Sequence, residues 1–344
     1  MAYTTIDKPT DYFETLLYTG TGSSNTITGL DFAPNWVWIK PRNDARGHSL
    51  IDSVRGVSKW VGSNENLAEL TVAQGVTSFN SNGFTVGTSN DFNKASNTHV
   101  AWNWKAGGSA SSNSDGSITS SVSASTTAGF SIVSYTGTGS NATVGHGLGA
   151  VPKMIFFKDR ETSVDWGVYA EPIGNTKEMY LSTTDAAATN SGAFNNTTPT
   201  SSVFTIGTSS RYNPSSKGVI AYCFADVKGY LKIGSYKGNQ NNDGTFIYTG
   251  FKPAFFIGKE VTNSNWYVND NKRLASFNPA NGHLYPNRDN VEEDYADFDF
   301  LSNGIKIRHN GTDVNESGVT YIYLAFAENP FVANDSGTAV PVTA

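Results

Sequence analysis

Pro34-Asn35-Trp36-Val37-Trp38-Ile39-Lys40 returns as Pro152-Lys153-Met154-Ile155-Phe156-Phe157-Lys158 and again as Pro253-Ala254-Phe255-Phe256-Ile257-Gly258-Lys259. Each run is of strand length, rich in aromatic and β-branched residues, opened by proline and closed by lysine. Such runs read as buried strands. Two more markers recur around them in the same order. An aromatic-led turn comes before: Tyr18-Thr19-Gly20-Thr21-Gly22, Tyr135-Thr136-Gly137-Thr138-Gly139 and Tyr236-Lys237-Gly238-Asn239. A strand of aromatics and alanine comes after: His99-Val100-Ala101-Trp102-Asn103-Trp104, Ile220-Ala221-Tyr222-Cys223-Phe224-Ala225 and Tyr321-Ile322-Tyr323-Leu324-Ala325-Phe326-Ala327. Between them, Gly83-Phe84-Thr85-Val86-Gly87 answers Val203-Phe204-Thr205-Ile206-Gly207 and Gly304-Ile305-Lys306-Ile307-Arg308. Three ordered markers, each present three times, point to tandem copies of one unit.

The first two copies lie further apart than the last two, and the Gly/Ser-rich stretch 107–128 accounts for the excess. The sequence therefore predicts an all-β chain of three tandem sandwich- or jelly-roll-like units of about 100 residues. The units span 12–106, 129–230 and 231–331. A short N-terminal segment (1–11), a Gly/Ser-rich linker or loop (107–128) and a C-terminal tail (332–344) complete the chain. Glu65-Asn66-Leu67-Ala68-Glu69-Leu70 alone hints at a helix, with Ser63 or Asn64 as its cap. No heptad seam predicts a coiled-coil shaft.

Composition narrows the function classes. Of 344 residues, 12% are aromatic and only 16% charged, which is the opposite of a disordered chain. Net charge is −6 with no basic stretch, so nucleic acid is not an expected partner. The single cysteine, Cys223, excludes an internal disulfide and lies in an apolar run that predicts a buried, inert thiol. The first residues carry neither a basic region nor a hydrophobic stretch, and no apolar run is long enough for a membrane helix. Neither a signal peptide nor membrane insertion is expected.

A search for chemistry returns little. His48, His99, His146, His283 and His309 occupy no common place in the units, and metal-binding or nucleophile motifs are missing. No catalytic residue and no cofactor is predicted, and the chain is not expected to be an enzyme. Gly137-Thr138-Gly139-Ser140-Asn141-Ala142 matches a dinucleotide fingerprint literally, yet it runs on towards another strand instead of opening a helix, so a turn is expected. Asp289, Glu292, Glu293, Asp294, Asp297 and Asp299 form the one dense charge run. Within it Asp294, Asp297 and Asp299 are the weak calcium candidates, because hard cations take carboxylate oxygens. Trp36 with Trp38, and Trp102 with Trp104, share strand faces at two-residue spacing. Flat rings in that pattern suit either sugar stacking or a sandwich core, and the core is expected because Phe and Tyr replace them in the other units.

Longer runs carry a resemblance. YTGTGSSNTITGL, SFNSNGFTVG, VAWNWKAGG, DGSITSSVSASTTAGFSIVSYTG, GHGLGAVPKMI, AYCFADVKGYLKIGSY and LSNGIKIR resemble repeat-bearing tail-fibre-like or virion structural proteins of marine tailed phages and cyanophages. The resemblance covers about residues 3–331. It implies residence on a virion assembled in the host cytoplasm, beside other virion proteins, in the tail apparatus and with a host cell-surface glycan as ligand. Capsid decoration is the alternative it leaves open, and a fibre-borne polysaccharide-degrading enzyme the second. A homo-oligomer, with a trimer favoured, follows from the symmetry of phage components and the supply of aromatic surface.

Overall fold

The proline-led runs are inner strands of three antiparallel sheets built in one order. Phe13–Thr19, Thr98–Trp104, Trp36–Pro41 and Ser49–Asp52 lie side by side in the first segment of the chain. Phe130–Thr136, Gly218–Phe224, Met154–Asp159 and Gly167–Ala170 do so in the second. Leu231–Lys237, Thr320–Pro330, Phe251–Glu260 and Trp266–Asp270 do so in the third. A smaller antiparallel sheet covers one face of each. It contains the pairs Asn25–Thr28 with Gly83–Val86, Ala142–Gly145 with Val203–Ile206, and Phe246–Tyr248 with Gly304–Ile307. The computed structural model of the chain, which describes residues 4–273, 278–335 and 338–341, is all-β with sandwich-like layering.

Alternation along the inner strands divides the core in two. Val37, Ile39 and Ala101 face the small sheet of their own segment, beside Ile27, Phe84 and Val86. Ile155, Phe157, Ala221 and Cys223 do the same in the second segment, with Val144, Phe204 and Ile206. The residues between them point the other way, into one apolar centre shared by all three segments. Trp104, Phe224 and Phe326 hold the same register there. Trp36 stacks on Trp104 (4.2 Å) and on Tyr222 of the second segment (4.4 Å), and Trp104 meets Phe255 of the third edge-on at 5.7 Å. The four tryptophans expected in a sandwich core are thus buried between segments, not between the two sheets of their own. Offset and edge-on packing of such rings adds to the burial of their large apolar area.

The segments are tied in a ring. Trp166 Nε1 donates to Gly62 O, Trp266 Nε1 to Tyr180 O, and His48 Nε2 to Tyr285 O, at 2.7, 2.7 and 2.9 Å. Donors and acceptors sit at matching registers, so the second segment holds the first, the third holds the second, and the first holds the third. Backbone bonds repeat the cycle: Glu69 N to Arg160 O, Ala187 N to Val261 O and Glu292 N to Arg42 O. The lysines that close the inner strands are fully buried. Lys158 Nζ donates to Asn66 O and Lys259 Nζ to Thr184 O in the preceding segments, while Lys40 Nζ donates to Pro41 O. Burial pushes each of the three ammonium groups down to about 8.

Two of the three junctions are ionic and the third is apolar. At the first, Arg160 grips Glu69 with two bonds, Arg55 bridges Glu69 and Asp52, and Tyr222 Oη donates to Asp52. At the junction of third and first, Arg42 grips Glu292, Arg273 bridges Glu292 and Asp270, and Trp102 Nε1 donates to Asp270. Matching positions at the remaining junction are Val261, Ala187, Ile173, Ala170 and Leu324, all in or against the shared apolar centre. A buried charge needs its partner, whereas replacing the whole set by apolar groups removes the desolvation cost along with the attraction.

The recurrent turn has a structural cause. Tyr18, Tyr135 and Tyr236 donate through Oη to the backbone of Phe92, Tyr212 and Val314. The buried asparagines that follow (Asn93, Asn213 and Asn315) accept from the turn backbone at Thr21, Thr138 and Asn239. A Cβ on Gly20, Gly137 or Gly238 would lie 2.1–2.3 Å from a backbone oxygen at Lys94, Pro214 or Glu316, so only glycine fits.

Three local expectations need correction. Residues 107–128 are not a plain linker: Ser111–Asn113 and Ser120–Ser125 form a hairpin that extends the second sheet. Its small polar side chains find partners inside, with Ser120 Oγ donating to Gly145 O and Ser123 Oγ to Gly108 O. Glu65–Leu70 is not helical, because its backbone serves the junction through Asn66 O and Glu69 N. The tail contains a strand pair, Val332–Asp335 with Thr338–Pro341, and its remaining residues, like 1–3 of the N-terminal segment, lie outside the described residues.

Asp52→Ala alone should cost about 3–5 kcal/mol in urea denaturation, because it removes the fully buried carboxylate that pairs with Arg55 and accepts from Tyr222 Oη. Converting the first junction to the apolar set (Asp52→Ala, Arg55→Ile, Glu69→Ala, Arg160→Val, Tyr222→Leu) should recover most of that loss. The lysines predict a pH effect of definite sign. A folded pKa of about 8, against 10.5 for the free side chain, means the folded state releases protons first. Stability should therefore rise between pH 8 and roughly 10, opposed by the single Cys223 thiol and, above about 10, by the buried tyrosines. Lys158→Met should flatten the slope of the urea midpoint against pH by roughly one third, as one of three such groups.

Candidate functional site

Side chains that could do chemistry gather on the third segment. Its outer sheet places Phe246–Tyr248, Gly304–Ile307, Glu293–Leu301 and Ala280–His283 in that order. Alternation along Glu293–Leu301 sends Phe298 and Phe300 into the core, where Phe298 meets Phe256 at 5.3 Å. Asp297 and Asp299 take the opposite side.

Asp297 is buried and bridges two imidazoles: His283 Nδ1 at 2.8 Å and His309 Nδ1 at 3.2 Å. Two histidines that are far apart in sequence thus meet on one carboxylate. The other ring nitrogen of His283, Nε2, is buried without a hydrogen-bond partner among the described residues. Tyr267, Tyr285 and Tyr295 surround that ring at centroid distances of 4.6–6.0 Å. Asp299 is held by Arg308. Asp294 is exposed and lines a different feature, a 310 Å³ cleft at the junction with the first segment, together with Arg42, Lys272, Arg273, Glu292 and Glu293.

The three calcium candidates are therefore divided between a buried imidazole bridge, an arginine pair and an open cleft. No group of three or more His, Cys, Asp or Glu side chains converges as a metal set among the described residues. Asp294 and Asp297, adjacent enough in sequence to be drawn as a carboxylate pair, differ in exposure and in surroundings.

Other sequence candidates are also placed. Cys223 is buried, and burial pushes its thiol up, away from the nucleophilic thiolate. His48 accepts from Trp38 Nε1 on Nδ1 and donates from Nε2 to Tyr285 O, so it is a neutral strut; burial holds its pKa well below the usual value. The Gly137-Thr138-Gly139 stretch is the turn pinned by Asn213. Trp36, Trp38, Trp102 and Trp104 are at most 2% exposed, too deep to stack on a sugar.

Sequence reading missed two rings that are exposed on one strand. Phe246 and Tyr248 are 43% and 58% accessible, with Ile247 between them in the core. By register they replace Thr26 and Thr28 of the first segment, and Thr143 and Gly145 of the second. That contrast was available in the aligned repeats. Tyr248 borders a 640 Å³ cleft with Asp226, Val227, Lys228, Gly229, Leu231, Lys232, Thr249 and Gly250.

The bridge on Asp297 yields a graded expectation. Asp297→Ala should destabilise by about 2–3 kcal/mol, since it leaves the buried His283 Nδ1–H without an acceptor. His309→Ala, at the exposed end, should cost under about 1 kcal/mol in the same urea assay.

No curated protein and no solved structure matches the chain. A family described as a domain of unknown function, DUF7483, matches residues 8–330, which takes in the ring from the first strand of the first sheet to the last strand of the third. The chain belongs to that family, DUF7483.

Proposed function

We propose that the chain is a structural component of a bacteriophage particle, carried in the tail apparatus, which acts without catalysis and presents a face to host cell-surface glycan. The observation that carries the structural part is where the buried polar chemistry lies. Lys158, Lys259, His48, Trp166, Trp266 and both Arg–Asp–Glu sets bind neighbouring segments to one another. Groups that would be poised towards a substrate in an enzyme are here engaged in closing the ring. A body held this way resists shear and local opening, which suits a particle component more than a catalyst that must admit and release substrate. The resemblance of its repeats to phage virion proteins supports the location.

The homo-oligomer expected from composition now rests on that resemblance alone, since the aromatic surplus that suggested it is buried inside one chain. Copy number tests the location. Quantitative mass spectrometry of purified particles should find a few to a few dozen copies per virion. Hundreds would assign the chain to capsid decoration, and absence from washed particles would end the virion reading.

A further inference from the structure

The third segment departs from its neighbours at one edge. Phe246 and Tyr248 point outward from the same side of a strand, about 7 Å apart. Packing does not require rings there, since threonines stand at both registers of the first segment. Phe246 also lies against Gly304, its ring 2.9 Å from where a Cβ would be, so any side chain at that position would displace the ring as well as meet Ile247 O. A pre-set aromatic surface loses little freedom on binding.

The neighbouring cleft is cationic in a chain of net charge −6. Asp226 takes both Lys232 (3.0 Å) and Lys153 (3.1 Å), and Lys228 lines the same wall. Two partly exposed lysines thus share one carboxylate, and a third, exposed, lines the cleft beside them. At 640 Å³ the cleft falls in the usual size range for small-ligand sites. Flat rings beside clustered polar groups match a pyranose, whose C–H faces are apolar and whose rim is polar. The excess of cations adds a preference for an acidic one.

We infer that the cleft between the Asp226–Lys232 turn and the Phe246–Tyr248 strand binds an acidic saccharide. The rings carry the sugar faces and the lysines meet a carboxylate or sulfate. This rests on the reading of the chain as glycan-facing, and names the site and the sugar class. A second polypeptide pairing with the strand edge would use main-chain bonds instead and would not need the lysines.

The test uses the full chain with tetrasaccharides of galacturonate and of hyaluronan as acidic probes, and cellotetraose and maltotetraose as neutral ones. Binding is read by saturation-transfer NMR and calorimetry. The acidic probes should bind, several-fold more weakly at about 0.5 M salt, where the charge term is screened. Phe246→Thr/Tyr248→Thr, which installs the first segment's own residues, should weaken binding at least tenfold with an unchanged melting temperature. Lys232→Gln should weaken the acidic probes alone. Failure of every acidic probe at about 5 mM, a range that reports even feeble sites, would overturn the inference. So would equal affinity for neutral probes, or a double-threonine variant that binds like the parent. In that last case glycan recognition survives and only this site falls, whereas the copy-number experiment bears on the virion reading alone.

Discussion

A hydrogen bond from an aromatic N–H to a neighbour's backbone carbonyl, made three times in a cycle, is the constraint on which the molecule depends. Trp166, Trp266 and His48 each donate a ring N–H to a backbone oxygen of a neighbouring segment. Buried ring N–H groups need acceptors, so each donor fixes the approach of two segments to within hydrogen-bonding tolerance. The aromatic centre can then pack at ring-contact distances, and the lysines can enter without leaving an ammonium group unpaired. In the first segment the tie is a relay. Trp38 sets the tautomer of His48, and His48 donates its Nε2–H to Tyr285 O.

The junctions also show two solutions to one packing problem in a single chain. Where Asp52 or Asp270 is buried, an arginine, a glutamate and a second arginine follow, and an aromatic donor from the next segment completes the set. Where alanine stands at that position, every partner is apolar too. No mixed junction occurs among the three. That is what electrostatics dictates, because half a buried network is worse than either a full one or none.

Much of the architecture was legible in the sequence, because strand length, alternation and glycine-bearing turns are local signals. The proline-led runs are inner strands, and all-β composition carried through. The destination of Trp36 and Trp102 was not legible, since alternation says that a face is buried and not what buries it. The hairpin in 107–128 was hidden because serine can be buried when a carbonyl is in reach, and Glu65–Leu70 lost its helix to contacts from a distant segment. Asn93, Asn213 and Asn315 were readable in principle, each preceded by a bulky apolar residue and placed shortly before a closing strand. On the candidate site, the acidic run was visible, but the approach of His283 and His309 to Asp297 depended on strand register. The exposed pair Phe246 and Tyr248 stood out only against the threonines of the other copies.

A ring made from one chain differs from a ring made of three identical chains in what it can vary. In the latter every substitution appears three times, so a surface feature and its cost are both tripled. Here the Phe246–Tyr248 edge exists once, while the matching edges keep threonine or glycine. The molecule is thus monovalent at that edge despite its cyclic build. Any gain in apparent affinity from simultaneous attachment must come from how many copies an assembly displays and how far apart it holds them, not from the ring itself.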